Sequence, residues 1–135
     1  MSKRLLLIGG VMNGIFALFH IWLGWQIQML PDLLPDYKAL IQMLNVGGIL
    51  TIAFATFVSF FCTDDLMTTG LGKTTMILIA LFYATRAAEE IVLASNFSPM
   101  IFGVCLAVAM VYVLAVAGAL RKPDATLKPP LTEVQ

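Results

Sequence analysis

The chain has 135 residues, 60% of them hydrophobic and 12% charged, with eight basic and eight acidic side chains in balance. A soluble domain of this size carries about 25% charged residues, so the composition excludes an ordinary soluble domain. The neutral balance offers no basic face for nucleic acid, and no second domain fits beside the apolar segments.

The first apolar run, Leu5 to Leu30, is uncharged throughout. About 20 apolar residues cross a bilayer core, so this run is expected to span. Lys3 and Arg4 resemble the start of a signal peptide. The run is too long for such a segment and no small-residue cleavage site follows it, so it reads as a retained helix. A second uncharged run extends from Ala39 to Thr63, and a third, Ile91 to Leu120, is interrupted by the turn signal Ser95-Asn96-Phe97-Ser98-Pro99.

Between them lies Leu71 to Ala94, which contains Lys73, Arg86, Glu89 and Glu90. It must cross as well, because a chain in lipid crosses only as helices or as a closed barrel. The expected fold is therefore all-α, a four-helix transmembrane bundle in up-down-up-down order. The helices fall at about 5–30, 38–62, 71–95 and 98–120, making residues 1–122 one membrane domain. Short links make consecutive helices antiparallel neighbours. The Pro-rich stretch 123–135 is expected to be a flexible cytoplasmic tail. Lys3, Arg4, Lys73, Arg121, Lys122 and Lys128 fall on one side and only Lys38 on the other, so both termini are expected in the cytoplasm of a multi-pass cell-membrane protein.

Depth along the helices brings the polar residues together. At about 1.5 Å per residue, His20 lies roughly 15 Å inside the outer end of the first helix. Gln42 and Asn45 lie about 6 and 10 Å below the start of the second, and Glu90, Glu89 and Arg86 about 7, 9 and 13 Å below the end of the third. These six residues are expected to form a buried polar layer in the outer half of the bilayer. Intramembrane ionisable groups are costly and either find partners or serve a function. Two carboxylates facing one guanidinium leave one carboxyl in surplus, and by depth Glu89 is the expected bundle-facing acid.

Three functions are compatible with that layer. One is a site that binds or moves a small polar or amphipathic ligand or protons. Another is a structural clamp in an accessory subunit of a membrane complex. The third is a membrane enzyme using His and Glu for acid–base chemistry on a lipid-like substrate. Expected partners are the lipid bilayer, a small ligand or a second copy of the chain. A bis-histidine haem needs two histidines and His20 is alone; a His20–Met43 pair rests on one methionine among eight. A zinc site needs three or four ligands, so neither cofactor nor metal is expected. Cys62 and Cys105 fall at different depths and read as small apolar residues.

Trp25 reads as an aromatic anchor at the outer interface; Trp22 reads either as a second anchor or as a wall of the polar layer. Gly10 and Gly14 form a GxxxG pattern, read as internal helix packing as readily as dimerisation. Asn13 continues the His20 face inward and Thr56 and Ser59 the Asn45 face, a polar track that hydroxyls bonding to their own helix backbone also produce.

The stretches FHIWLGWQ (Phe19 to Gln26), IQMLNVGGI (Ile41 to Ile49), DLMTTGLGK (Asp65 to Lys73) and LFYATRAAEEIV (Leu81 to Val92) together resemble a group of small bacterial four-helix membrane proteins. The resemblance implies a bacterial inner-membrane setting and draws attention to His20, Asn45, Arg86 and Glu89. It implies no activity, cofactor or role for any of them.

Overall fold

A computed structural model describes residues 2–121; the tail 123–135 lies outside the described residues. Five helices follow one another: α1 (Ser2–Met29), α2 (Pro35–Phe61), α3 (Thr63–Thr68), α4 (Gly70–Val92) and α5 (Pro99–Leu120). No strand occurs among the described residues. Helices α1, α2 and α5 are long and apolar enough to cross a membrane. The outward faces of the four long helices carry large exposed apolar side chains, including Leu18, Leu50, Leu81 and Leu114.

The ends of the helices follow local chemistry. Pro35 and Pro99 stand in the first turns of α2 and α5, where a missing N–H costs nothing. The side chain of Ser98 accepts from Ile101 N–H and that of Thr69 from Gly72 N–H, capping α5 and α4. Lys38 Nζ donates to Gln28 and Leu30 carbonyls at 3.2 and 2.9 Å, supplying donors to orphan carbonyls where α1 ends.

Helix α3 is the element missing from the sequence expectation, which left Asp64 to Gly70 as a link. Asp64 and Asp65 occupy its first turn, where carboxylates suit the helix dipole. Leu66 and Met67 turn inward and are 2% and 5% exposed. Burying these two side chains converts the link into a helical turn and a half.

The packing order also differs from the expected one. Helix α1 lies against α2 and α5, and α4 lies against α5 and α3, while α2 and α4 make little contact. Helices α1 and α2 run antiparallel: His20 bonds Asn45, while Lys3 at the start of α1 pairs with Asp64 just beyond the end of α2. The glycines explain the closeness of α1 to both partners. A Cβ on Gly9 would lie 3.0 Å from the Tyr112 ring, one on Gly10 3.2 Å from Phe60 and Ser59, and one on Gly24 2.8 Å from Asn45 Nδ2. The Gly10–Gly14 pair thus faces α2 inside the molecule.

Gly47 is the opposite case, with no atom within 4 Å of its would-be Cβ. Alanine there removes backbone freedom from the unfolded chain without a clash. Gly47→Ala is expected to raise stability by up to ~1 kcal/mol, measured as a higher thermal transition in detergent. A lower transition would show that this face of α2 is covered.

Candidate functional site

The polar residues of the long helices form three groups, each tied to a different set of elements. The first joins α1 and α2. His20 Nδ1 is 2.9 Å from Asn45 Oδ1, and Asn45 Nδ2 donates to the His20 carbonyl at 3.0 Å. Because the amide nitrogen of Asn45 is donating, its oxygen is the acceptor, so His20 carries a proton on Nδ1. Gln42 Nε2 donates to the Gly24 carbonyl at 2.6 Å. The bare Cα of Gly24 makes room for both amides. These three side chains form a reciprocal clamp between two helices.

The second group lies at the centre and connects all four long helices. Tyr83 of α4 donates its hydroxyl to Asn13 Oδ1 of α1. Asn13 Nδ2 donates to the hydroxyl of Tyr112 on α5 at 2.7 Å and to its own helix at Gly9 O at 2.8 Å. Tyr112 in turn shares a 2.6 Å hydrogen bond with Ser59 of α2. Asn13, Ser59 and Tyr112 are fully buried and Tyr83 nearly so. Thr56 bonds to its own backbone, at Ile52 O; Asn13 does so at Gly9 O and also reaches across, and Ser59 reaches across to Tyr112. Sequence reasoning missed Tyr83 and Tyr112. The signal was present, since a tyrosine in the middle of an apolar span needs a partner for its hydroxyl.

The third group is Arg86, Glu89 and Glu90 on α4. Arg86 stands 3.4 Å from Glu90 and 3.7 Å from Glu89. The other oxygen of Glu90 accepts the Ser98 N–H at 2.9 Å, so this carboxylate ties the end of α4 to the start of α5. Glu90 is 5% exposed, whereas the Glu89 side chain is 46% exposed. The bundle-facing acid is therefore Glu90, which corrects the expectation of Glu89. Helical phase decides the matter: Met76, Ala80, Tyr83, Ala87 and Glu90 form the buried stripe of α4, and position 89 is rotated about 100° off it.

The expected single layer is thus two separate arrangements. Among the described residues, no hydrogen bond or ion pair joins His20, Gln42 or Asn45 to Arg86, Glu89 or Glu90. Every buried side-chain N or O among the described residues has a partner. No three His, Cys, Asp or Glu side chains among those residues converge as metal ligands would.

Where α2 and α4 stay apart, a furrow opens. Its inner part, about 250 Å³, is walled by Thr51, Ile52 and Ala55 of α2 and by Thr75, Ile79 and Tyr83 of α4. Thr51 and Thr75 turn their hydroxyls to their own backbone at Gly47 O and Leu71 O. Tyr83 points its hydroxyl into the central network, so the walls of the furrow are apolar. A second, open hollow of about 340 Å³ lies on the face of α4 alone, sharing Leu78 and Phe82 with the first and lined further by Leu81, Thr85, Arg86 and Glu89, with no residue of α2. Furrow and hollow together make an apolar trough with a charged pair at one end, and this is a candidate site.

Comparison of the chain with family models, with curated proteins and with solved structures finds no match.

Proposed function

We propose that α1, α2, α4 and α5 cross the cell membrane up-down-up-down with both termini cytoplasmic, and that the α2–α4 furrow binds an amphipathic molecule. Helix α4 supports a fourth crossing by its 23 residues, about 35 Å of helix. The ion pair between Arg86 and buried Glu90 offsets part of the cost of its charges. The distribution of Lys and Arg supports the orientation.

One observation carries the binding reading: α2 and α4 stand apart along an apolar furrow, and a hollow on the face of α4 leads from it to a charged pair. From Thr75 to Arg86 the trough runs about 16 Å along α4. That is roughly half of a ~30 Å hydrocarbon core, the depth of one leaflet. Arg86 lies about 9 Å inside the end of α4, near the level where headgroup and chain meet. Chain against apolar wall and head against Arg86 and Glu89 is the arrangement a membrane lipid would adopt. The His20, Gln42 and Asn45 clamp supports a structural role for those three residues. His20 is committed to α2 while both carboxylates are on α4, which leaves acid–base chemistry by His20 and a Glu without a shared substrate position.

A tryptophan placed in the furrow tests this. Phe82→Trp, in a background of Trp22→Phe and Trp25→Phe, would be reconstituted with phospholipids brominated on their chains. Val113→Trp, exposed on α5 one residue from Tyr112, serves as the control on open surface. Phe82→Trp is expected to be quenched at a lower fraction of brominated lipid and to saturate. Equal quenching at the two positions would reject the furrow as a binding site.

A further inference from the structure

Resting on the reading of the furrow as a lipid site, we propose that its occupant carries a zwitterionic amino-phosphate head, with phosphate oxygens on Arg86 and a primary ammonium on Glu89. The charges favour this over the other heads a membrane offers. Glu90 is buried and holds both Arg86 and the Ser98 N–H, so it belongs to the fold. Glu89 is held only by Arg86, at 3.7 Å, beyond hydrogen-bond reach. Both side chains are close to half exposed, at 43% and 46%, and an exposed pair of this kind contributes little that a ligand must displace.

With both carboxylates ionised, the one guanidinium and two acids sum to a single negative charge. A purely anionic head could meet Arg86 but would place its charge beside Glu89. A trimethylammonium head brings positive charge and no N–H, while a primary ammonium offers three donors to the carboxylate. The guanidinium, whose terminal nitrogens stand 3.7 Å from Glu89 and 3.4 Å from Glu90, would exchange the looser Glu89 contact for phosphate oxygens, which a guanidinium can bind in a bidentate manner. The axial order also agrees. Glu89 lies about 4.5 Å further out along α4 than Arg86, as the amine of such a lipid lies outside its phosphate.

The Phe82→Trp reporter reads this directly when the brominated tracer carries an ethanolamine, choline or glycerol head in an unlabelled phosphatidylcholine bilayer. Half-saturation is expected at an about two- to five-fold lower fraction for ethanolamine than for the other two, the range an exposed ion pair supports. Glu89→Gln should abolish this preference and leave quenching by the chain in place. Preferential quenching at Phe82→Trp without any headgroup preference would overturn the head assignment and leave the furrow reading standing. So would a preference for the glycerol head, or an ethanolamine preference that survives Glu89→Gln. Quenching at Phe82→Trp no greater than at Val113→Trp for all three lipids would overturn both readings, and weaker quenching there than at Val113→Trp would indicate a second copy seated in the trough.

Discussion

Asn13→Ala is expected to cost about 2 kcal/mol of stability, more than any other single polar deletion in the long helices. Interhelical hydrogen bonds in bilayers average only about 0.6 kcal/mol. Asn13 makes two of them, to Tyr83 and Tyr112, and all three side chains are buried. Its removal leaves one phenol without an acceptor and another without a donor, in a place where neither water nor backbone can replace the amide. Tyr83→Phe and Tyr112→Phe should each cost less, about 1 kcal/mol. Unfolding in mixed micelles measures all three, and the Asn13→Ala/Tyr83→Phe cycle should show coupling of at least ~0.5 kcal/mol. The orphaning argument makes a second, opposite demand. A variant combining Asn13→Leu, Ser59→Ala, Tyr83→Phe and Tyr112→Phe has no unpaired group and should recover most of the loss. Additive single losses, with no recovery in the combined variant, would mean that the four residues act through packing alone.

Gly72→Val is expected to cost on the order of 3 kcal/mol, the upper end for overpacking. A Cβ at position 72 would overlap the Asp65 carbonyl and Leu66 Cα. Both are backbone atoms, so no change of rotamer relieves the contact. Helix α3 must move off α4, exposing Leu66 and Met67. Gly72→Ala meets the same overlap, against a helix-propensity gain of about 1 kcal/mol, and should show a smaller net loss. Amide exchange localises the effect, with Leu66 to Thr69 expected to lose protection ahead of α1 and α5. A Gly72→Ala protein as stable as the parent, with those amides still protected, would refute the tight α3–α4 contact. The contrast with Gly47→Ala shows why glycine count alone predicts neither result: one position faces backbone and the other faces open space.

Much of this architecture was legible in the sequence. The uncharged runs placed α1, α2 and α5 to within a few residues, and the turn signal Ser95–Pro99 marked the start of α5. Counting depth along α1 and α2 put His20 near Asn45, and the two are bonded. Depth counting failed where rotation about the helix axis decides the contact. It chose Glu89 over Glu90, although the spacing of Met76, Ala80, Tyr83 and Ala87 already marked which acid shares their face. It also merged two polar groups that belong to different helix pairs. Depth says how far a residue lies from a surface and nothing of which neighbour it faces.

By itself, the amino-acid sequence determined the helical class of the protein, the number of long helices and the position of each polar side chain along its helix, because hydrophobic length and helical rise are local properties. Only the tertiary structure decided which helices touch. Asn13 and Tyr112 are separated by 99 positions, and Ser59 and Tyr112 by 53. No local pattern states that α1 lies between α2 and α5 and so leaves α2 and α4 apart. That order follows from where glycine lets two backbones approach and where buried hydroxyls find partners. These are relations between surfaces that exist only once the helices have been brought together, and they open the apolar furrow between α2 and α4.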